Sequence, residues 1–145
     1  MAFAFSLAAV LALRQQREQQ EERALTAVLH ELAAGRDTVG RIEGELSRVR
    51  AEIAQMAPQS LQAVSLHERY ARVRVLEKGL LEMRARLAEL EARRDAQQQI
   101  YLAARRDRDL LDELESRQRL SFTTEANRRE QKRMDDLFLA RRLRA

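Results

Sequence analysis

Between Leu25 and Met56 the apolar positions fall at alternating steps of three and four: Leu25, Val28, Leu32, Gly35, Val39, Ile42, Leu46, Val49, Ile53 and Met56. That spacing is the seam of a coiled coil. An isolated helix carrying one apolar stripe leaves the stripe in water, so the segment needs a facing partner. The identity of that partner decides the fold.

A second stripe lies further along the chain: Leu66, Tyr70, Val73, Leu76, Leu80, Met83, Leu87 and Leu90, then Arg94, Gln97, Tyr101, Ala104, Leu111 and Leu114. Between the two stripes stands APQSLQAV with the only proline, Pro58, followed by Ser65 and Glu68 at the spacing of a capping box. If the chain folds back here, facing positions add up to about 122, and apolar meets apolar throughout: Met56 with Leu66, Val49 with Val73, Leu46 with Leu76, Ile42 with Leu80, Val39 with Met83, Leu32 with Leu90. The expected fold is all-α: two long helices in an antiparallel coiled-coil hairpin forming a single domain over 1–145. Helix one covers about 3–56, the loop about 57–64 and helix two about 65–143. The four glycines, 34% charged residues and 4% aromatic residues fit long helices better than a globular core.

The same register sets Glu21 against Tyr101 and Arg14 against Arg108, a polar stretch in both helices, before Leu11 meets Leu111. Position 3 meets about position 119, so helix two overhangs the N-terminus. Met1 to Gln118 holds 19 Lys and Arg against 19 Asp and Glu, whereas Arg119 to Ala145 holds 8 against 4. The expectation is a rod with a neutral shaft and a basic end. Its start, MAFAFSLAAVLAL, has no basic leader, no small-residue cleavage site and too few residues to span a bilayer. It reads as the first turns of helix one, with Phe3, Leu7, Val10 and Leu11 near the seam and Phe5, Ala9 and Ala12 on other faces.

A two-helix hairpin offers no enclosed pocket for catalysis. The sequence has no phosphate-cradling Gly-rich loop, no nucleophile elbow and no His-Glu-x-x-His; it has no cysteine, and its two histidines, His30 and His67, stand apart. No enzyme activity, cofactor or metal is expected. Arg128, Arg129, Lys132, Arg133, Arg141, Arg142 and Arg144 suit phosphates, but Glu125, Glu130, Asp135 and Asp136 interleave with them, so nucleic acid is not the expected partner. Met134, Leu137 and Phe138 form an i, i+3, i+4 apolar patch that faces nothing in this register and points to a protein partner. Gly35, Gly40, Gly44 and Gly79 all lie inside helices, with Gly40 and Gly44 near the level of Gly79. That zone reads as a flexure, a docking surface or simple sequence drift.

The opening Phe3-x-Phe5-x-Leu7-x-x-Val10-Leu11-x-Leu13-Arg14 and the closing Asn127-Arg128-Arg129-Glu130-Gln131-Lys132-Arg133-Met134-Asp135-Asp136 resemble the FliJ family of the flagellar type III export apparatus, as do Leu76-Glu77-Lys78 and the two-helix layout. The resemblance implies a non-enzymatic cytoplasmic stalk and export chaperone, peripherally associated with the inner face of the membrane at the flagellar base. The implied partners are the hexameric export ATPase, the membrane export-gate protein and export chaperones, with no direct membrane span. By position, the ATPase-binding residues are Phe3, Leu7, Leu11, Arg128, Gln131, Lys132 and Asp135, and the gate-binding residues Tyr70, Leu76, Gly79 and Met83. The family's aromatic just before Leu76 is absent here, where Arg72 and Arg74 stand; Tyr70 is the nearest ring. The virulence branch of type III secretion shares the hairpin. A coiled-coil scaffold, a parallel homodimer with Pro58 as a kink, and a nucleic-acid-binding helix are the remaining alternatives.

Overall fold

The computed structural model describes residues 2–56 and 63–144. Two helices make up almost all of it: α1, Ala8–Gln55, and α2, Ala63–Arg144. No strand occurs among the described residues. Pro58 and most of the expected loop lie outside them. The described chain divides into two compact units, Glu22–Ile100 and Met1–Glu21 with Tyr101–Ala145.

In the unit Glu22–Ile100, α1 and α2 pack antiparallel along the expected seam. Leu46, Val49, Leu76 and Leu80 are buried together, with Val39, Ile42, Ile53 and Val73 packed on them. Further along, Val28, Leu32 and Leu90 are buried, Leu32 almost wholly. Gly35 lies directly under Leu87, as the expected register requires. Cross-helix ion pairs flank the seam on both sides. On one side Arg50 reaches Glu77 and Arg84 reaches Glu43, each at 2.6 Å, and Arg36 reaches Glu91 at 3.2 Å. On the other, Arg72 Nε donates to Glu45 at 3.0 Å and Arg86 lies 3.9 Å from Glu31. Such exposed pairs add little stability singly. Their arrangement disfavours a slipped register, in which like charges would face each other.

Two expectations change in this unit. The capping box does not form: α2 is already helical at Ala63, and the Ser65 hydroxyl and carbonyl both accept from Arg69. Tyr70 is half exposed, and Arg69 takes the seam position beside it, its buried Nε 3.4 Å from Glu52 Oε2. An arginine can fill a seam site with its methylene stem and send its head to the edge, whereas a tyrosine one position on keeps its hydroxyl wet.

In the unit of Met1–Glu21 with Tyr101–Ala145, the core consists of Phe5, Leu11 and Ala104. Helix α1 starts at Ala8 rather than near Phe3; the Ala8 amide donates to the Phe5 carbonyl at 3.2 Å and closes a turn. Leaving the helix lets Phe5, which a helical frame would point off the seam, bury its ring. Phe3 meets Phe122 at 5.7 Å between ring centroids, tilted by 56°, and the Arg119 guanidinium sits 5.3 Å over the Phe3 ring. Two rings placed against α2 outweigh one turn of helix. Beyond Phe122, every described residue of α2 is exposed.

The polar stretch of the seam also lies in this unit, and it is organised. The expected meeting of Arg14 with Arg108 does not occur. Arg108 donates from Nε and Nη2 to the two Glu18 carboxylate oxygens at 2.7 and 3.0 Å, and from Nη1 to Asp112 at 2.7 Å. Arg14 instead donates to Asp107 at 3.1 Å. Like charges facing across a seam repel, so each arginine turns to a carboxylate on the facing helix.

Candidate functional site

The terminal stretch of α2 presents chemistry that the paired seam does not use. Arg128, Gln131, Lys132 and Asp135 are spaced i, i+3, i+4, i+7, so they share one face of the helix. All four are exposed. Met134, Leu137 and Phe138 form the neighbouring face and are exposed by 59%, 57% and 66%. Leu139 and Leu143 are exposed as well and continue the face of Lys132 and Asp135, Leu139 lying four residues after Asp135 and Leu143 one turn on. Glu125 lies 3.6 Å from Arg129 one turn on. The result is a strip of charge beside an apolar strip, suited to a partner with an apolar pocket rimmed by acceptors.

The other residues expected at this site separate into two groups. Leu7 is partly exposed, but Leu11 is buried in the hairpin and Phe3 is engaged by Phe122 and Arg119. Their contribution is to hold the N-terminal segment on α2. The expected gate residues divide in the same way: Leu76 is core, Met83 and Gly79 are half-buried, and Tyr70, half exposed, is the most open of the four. A methyl group added at Gly40, Gly44 or Gly79 would meet nothing within 4 Å.

Sequence reasoning missed a shallow groove in the unit Glu22–Ile100. It lies on the flank of the seam away from Gly79, floored by Leu46, Leu80 and Leu81 and walled by the Glu43–Arg84 and Arg50–Glu77 pairs. The opposite charges at 43 and 84 and at 50 and 77 were the available signal. It is neutral overall and open.

The strongest electrostatic coupling is the Glu18–Arg108 pair. The hydrogen bond from Arg108 holds the Glu18 carboxyl below its ordinary value, against a smaller opposing effect of desolvation. The hydrogen bonds to Glu18 and Asp112 push the Arg108 guanidinium further up. Both groups stay charged, so the layer is a fixed polar contact in the seam. Among the described residues no cluster of three or more His, Cys, Asp or Glu side chains could hold a metal ion, and no helix is long and apolar enough to cross a membrane.

The family model of the flagellar FliJ protein matches residues 3–145. The chain belongs to the FliJ family. The match covers essentially the whole chain and includes both the opening aromatic segment and the closing charged face, the two stretches on which the resemblance rests. FliJ membership ties the chain to flagellar export and the type III export apparatus, and the family is one of non-catalytic structural and chaperone proteins. No curated protein and no solved structure matches it.

Proposed function

We propose that this FliJ-family chain is the stalk of the flagellar export ATPase. The end carrying the exposed stretch of α2 enters the pore of the hexameric ATPase, and the Glu22–Ile100 unit meets the membrane export-gate protein. In this reading the protein also receives export chaperones, and it works on the cytoplasmic side of the membrane without crossing it. The observation that carries the reading is the exposed stretch beyond Phe122, where the charged face of Arg128, Gln131, Lys132 and Asp135 adjoins the apolar face of Met134, Leu137 and Phe138.

The same reading assigns the gate contact to the flank of α2 around Gly79; Tyr70, nine residues earlier, lies on the opposite face of the helix. Leu76 and Met83 would support that surface from beneath rather than touch the gate, since Leu76 is buried.

The test compares the full chain with a truncation ending at Ala126, which keeps Phe122 under Phe3. Hexamer formation and ATP hydrolysis by the export ATPase of the same organism are the readouts. Stimulation by the full chain and none by the truncation is expected. Equal stimulation by both would move the contact away from this end, and no binding by either would overturn the stalk reading.

A further inference from the structure

The groove in the unit Glu22–Ile100 has an open apolar floor and a charge pattern that reads the same from both ends. Leu81, at its middle beside Leu46 and Leu80, is 72% exposed. At one end Glu43 of α1 meets Arg84 of α2 at 2.6 Å, and at the other Arg50 of α1 meets Glu77 of α2 at the same distance. Each helix therefore sets an acid and a base two turns apart on this flank, with Leu46 and Ser47 or Leu80 and Leu81 halfway between them. The pattern extends in both helices at the same spacing. On α2, half-exposed Tyr70 precedes Glu77, and Glu91 follows Arg84. On α1, Gly40 and Ala54 stand two turns either side of Ser47, and a methyl group at Gly40 would meet nothing within 4 Å. The hairpin itself gives no reason for a glycine at 40, where it weakens the helix.

Such a surface is complementary to a second copy of itself. Half a turn about an axis crossing the groove from α1 to α2, at the level of Ser47 and Leu81, sets Glu43 opposite the second copy's Arg50 and Glu77 opposite its Arg84. The same rotation brings Tyr70 level with the second copy's Glu91, where the phenol hydroxyl can donate to the carboxylate. Leu81 then lies against Leu80 and Leu81 of the other chain and leaves water, and Gly40 meets Ala54, so the two α1 helices can approach closely. Copies aligned in the same direction would instead set Leu81 on Ser47, apolar on polar. A two-fold contact repeats each of these interactions twice.

We propose that this groove is the contact of an antiparallel homodimer, in which the Glu22–Ile100 units of two chains pair into a four-helix bundle about a dyad at Ser47 and Leu81. The contact runs about 20 Å along two helices each about 10 Å wide, or about 400 Å² per copy, which is below the size of a stable interface. The dimer is accordingly weak, half formed near about 100 μM. It leaves the Gly79 flank open. It does not rest on the stalk reading, since it uses neither the exposed end of α2 nor the gate-facing flank.

The test is sedimentation equilibrium of the full chain from about 10 μM to about 1 mM, where the average mass should climb from one chain toward two. Glu43→Arg with Arg84→Glu keeps an opposite-charge pair within each chain but sets like charges across the dyad, and should weaken association at least about tenfold. Adding Arg50→Glu and Glu77→Arg reverses every pair and should restore it. The chain has no cysteine, so Leu81→Cys reports the dyad directly: under mild oxidation it should give a disulfide-linked dimer. Val75→Cys, 63% exposed on the Gly79 flank, should not. All variants should keep the parent's helical content by circular dichroism, because the pairs within each chain persist and positions 75 and 81 are exposed. A single-chain mass at every concentration, unchanged association after the first charge reversal, or no recovery after the second would each overturn the proposal. So would equal cross-linking at 75 and 81, or Leu81→Cys linking to Ser47→Cys in a mixture and not to itself, the sign of copies aligned in the same direction.

Discussion

A methyl group added at Gly35 would sit 2.7 Å from Leu87 Cδ2, whereas at Gly40, Gly44 and Gly79 it meets open space. The four glycines look alike in the sequence, and the three-four frame shows only that Gly35 is on the seam. Their difference comes from the facing helix. Glycine inside a helix costs about 1 kcal/mol relative to alanine. Gly79→Ala and Gly40→Ala should therefore each stabilise the chain by up to about 1 kcal/mol, read by thermal or urea unfolding. Gly35→Val should destabilise it by about 1–3 kcal/mol, because its branched side chain has to displace Leu87 from the seam. Gly35→Ala should fall between, since the tip of Leu87 can swing aside. If Gly79 also belongs to the gate-facing surface, Gly79→Ala should weaken gate binding while raising stability. Unchanged gate affinity in a more stable variant would remove Gly79 from that surface.

At the scale of the elements, most of the seam was legible because coiled-coil pairing is periodic. Leu25 to Met56 and its facing stripe from Leu66 to Leu90 follow from spacing alone. The departures occur where spacing cannot choose. Arg69 and Tyr70 are adjacent, and a ring looked the better seam residue, yet an arginine stem packs there. Phe3 fitted the heptad frame and Phe5 fell on another face of the same helix, but packing their rings on α2 delays the start of the helix to Ala8. Arg14 and Arg108 are level in the register, and their choice of Asp107 and Glu18 depends on side-chain geometry that periodicity does not contain. That layer makes a pH prediction. Glu18 is held below its ordinary 4.5 by Arg108, so its contribution to stability is fully present above that value. The contribution falls as pH drops through the lower folded value, where the unfolded chain takes up the proton more readily. Unfolding midpoints measured through acid should therefore fall less for Glu18→Gln than for the parent chain. At neutral pH the same substitution should cost about 1–2 kcal/mol, the loss of one partner of a charged hydrogen bond. An identical acid profile in both proteins would place the sensitivity in other carboxylates.

For the whole molecule, the question is why the chain keeps apolar side chains in water beyond its own hairpin. The charge balance up to Gln118 is even, and the surplus of arginine and lysine lies beyond it. Family membership accounts for an export role, and the exposed stretch of α2 offers a surface through which to exercise it. This part of the site was legible in the sequence, because Met134, Leu137 and Phe138 had no facing residues in a register set elsewhere. Leu11 and Leu76 were not separable from true contact residues, since a family position records importance without distinguishing packing from touching. That distinction can be tested. Met134→Ser with Leu137→Ser removes exposed surface only, so stability should shift by no more than about 1 kcal/mol, while affinity for the export ATPase should fall by at least about tenfold. Leu11→Ala should behave oppositely: it removes a buried seam residue, costs about 2–4 kcal/mol, and weakens the ATPase contact only as far as the terminal unit loosens. Measuring unfolding and ATPase binding on both variants separates the surface that touches the partner from the core that holds it in place. If the serine pair binds as tightly as the parent chain, the apolar face serves something other than the ATPase.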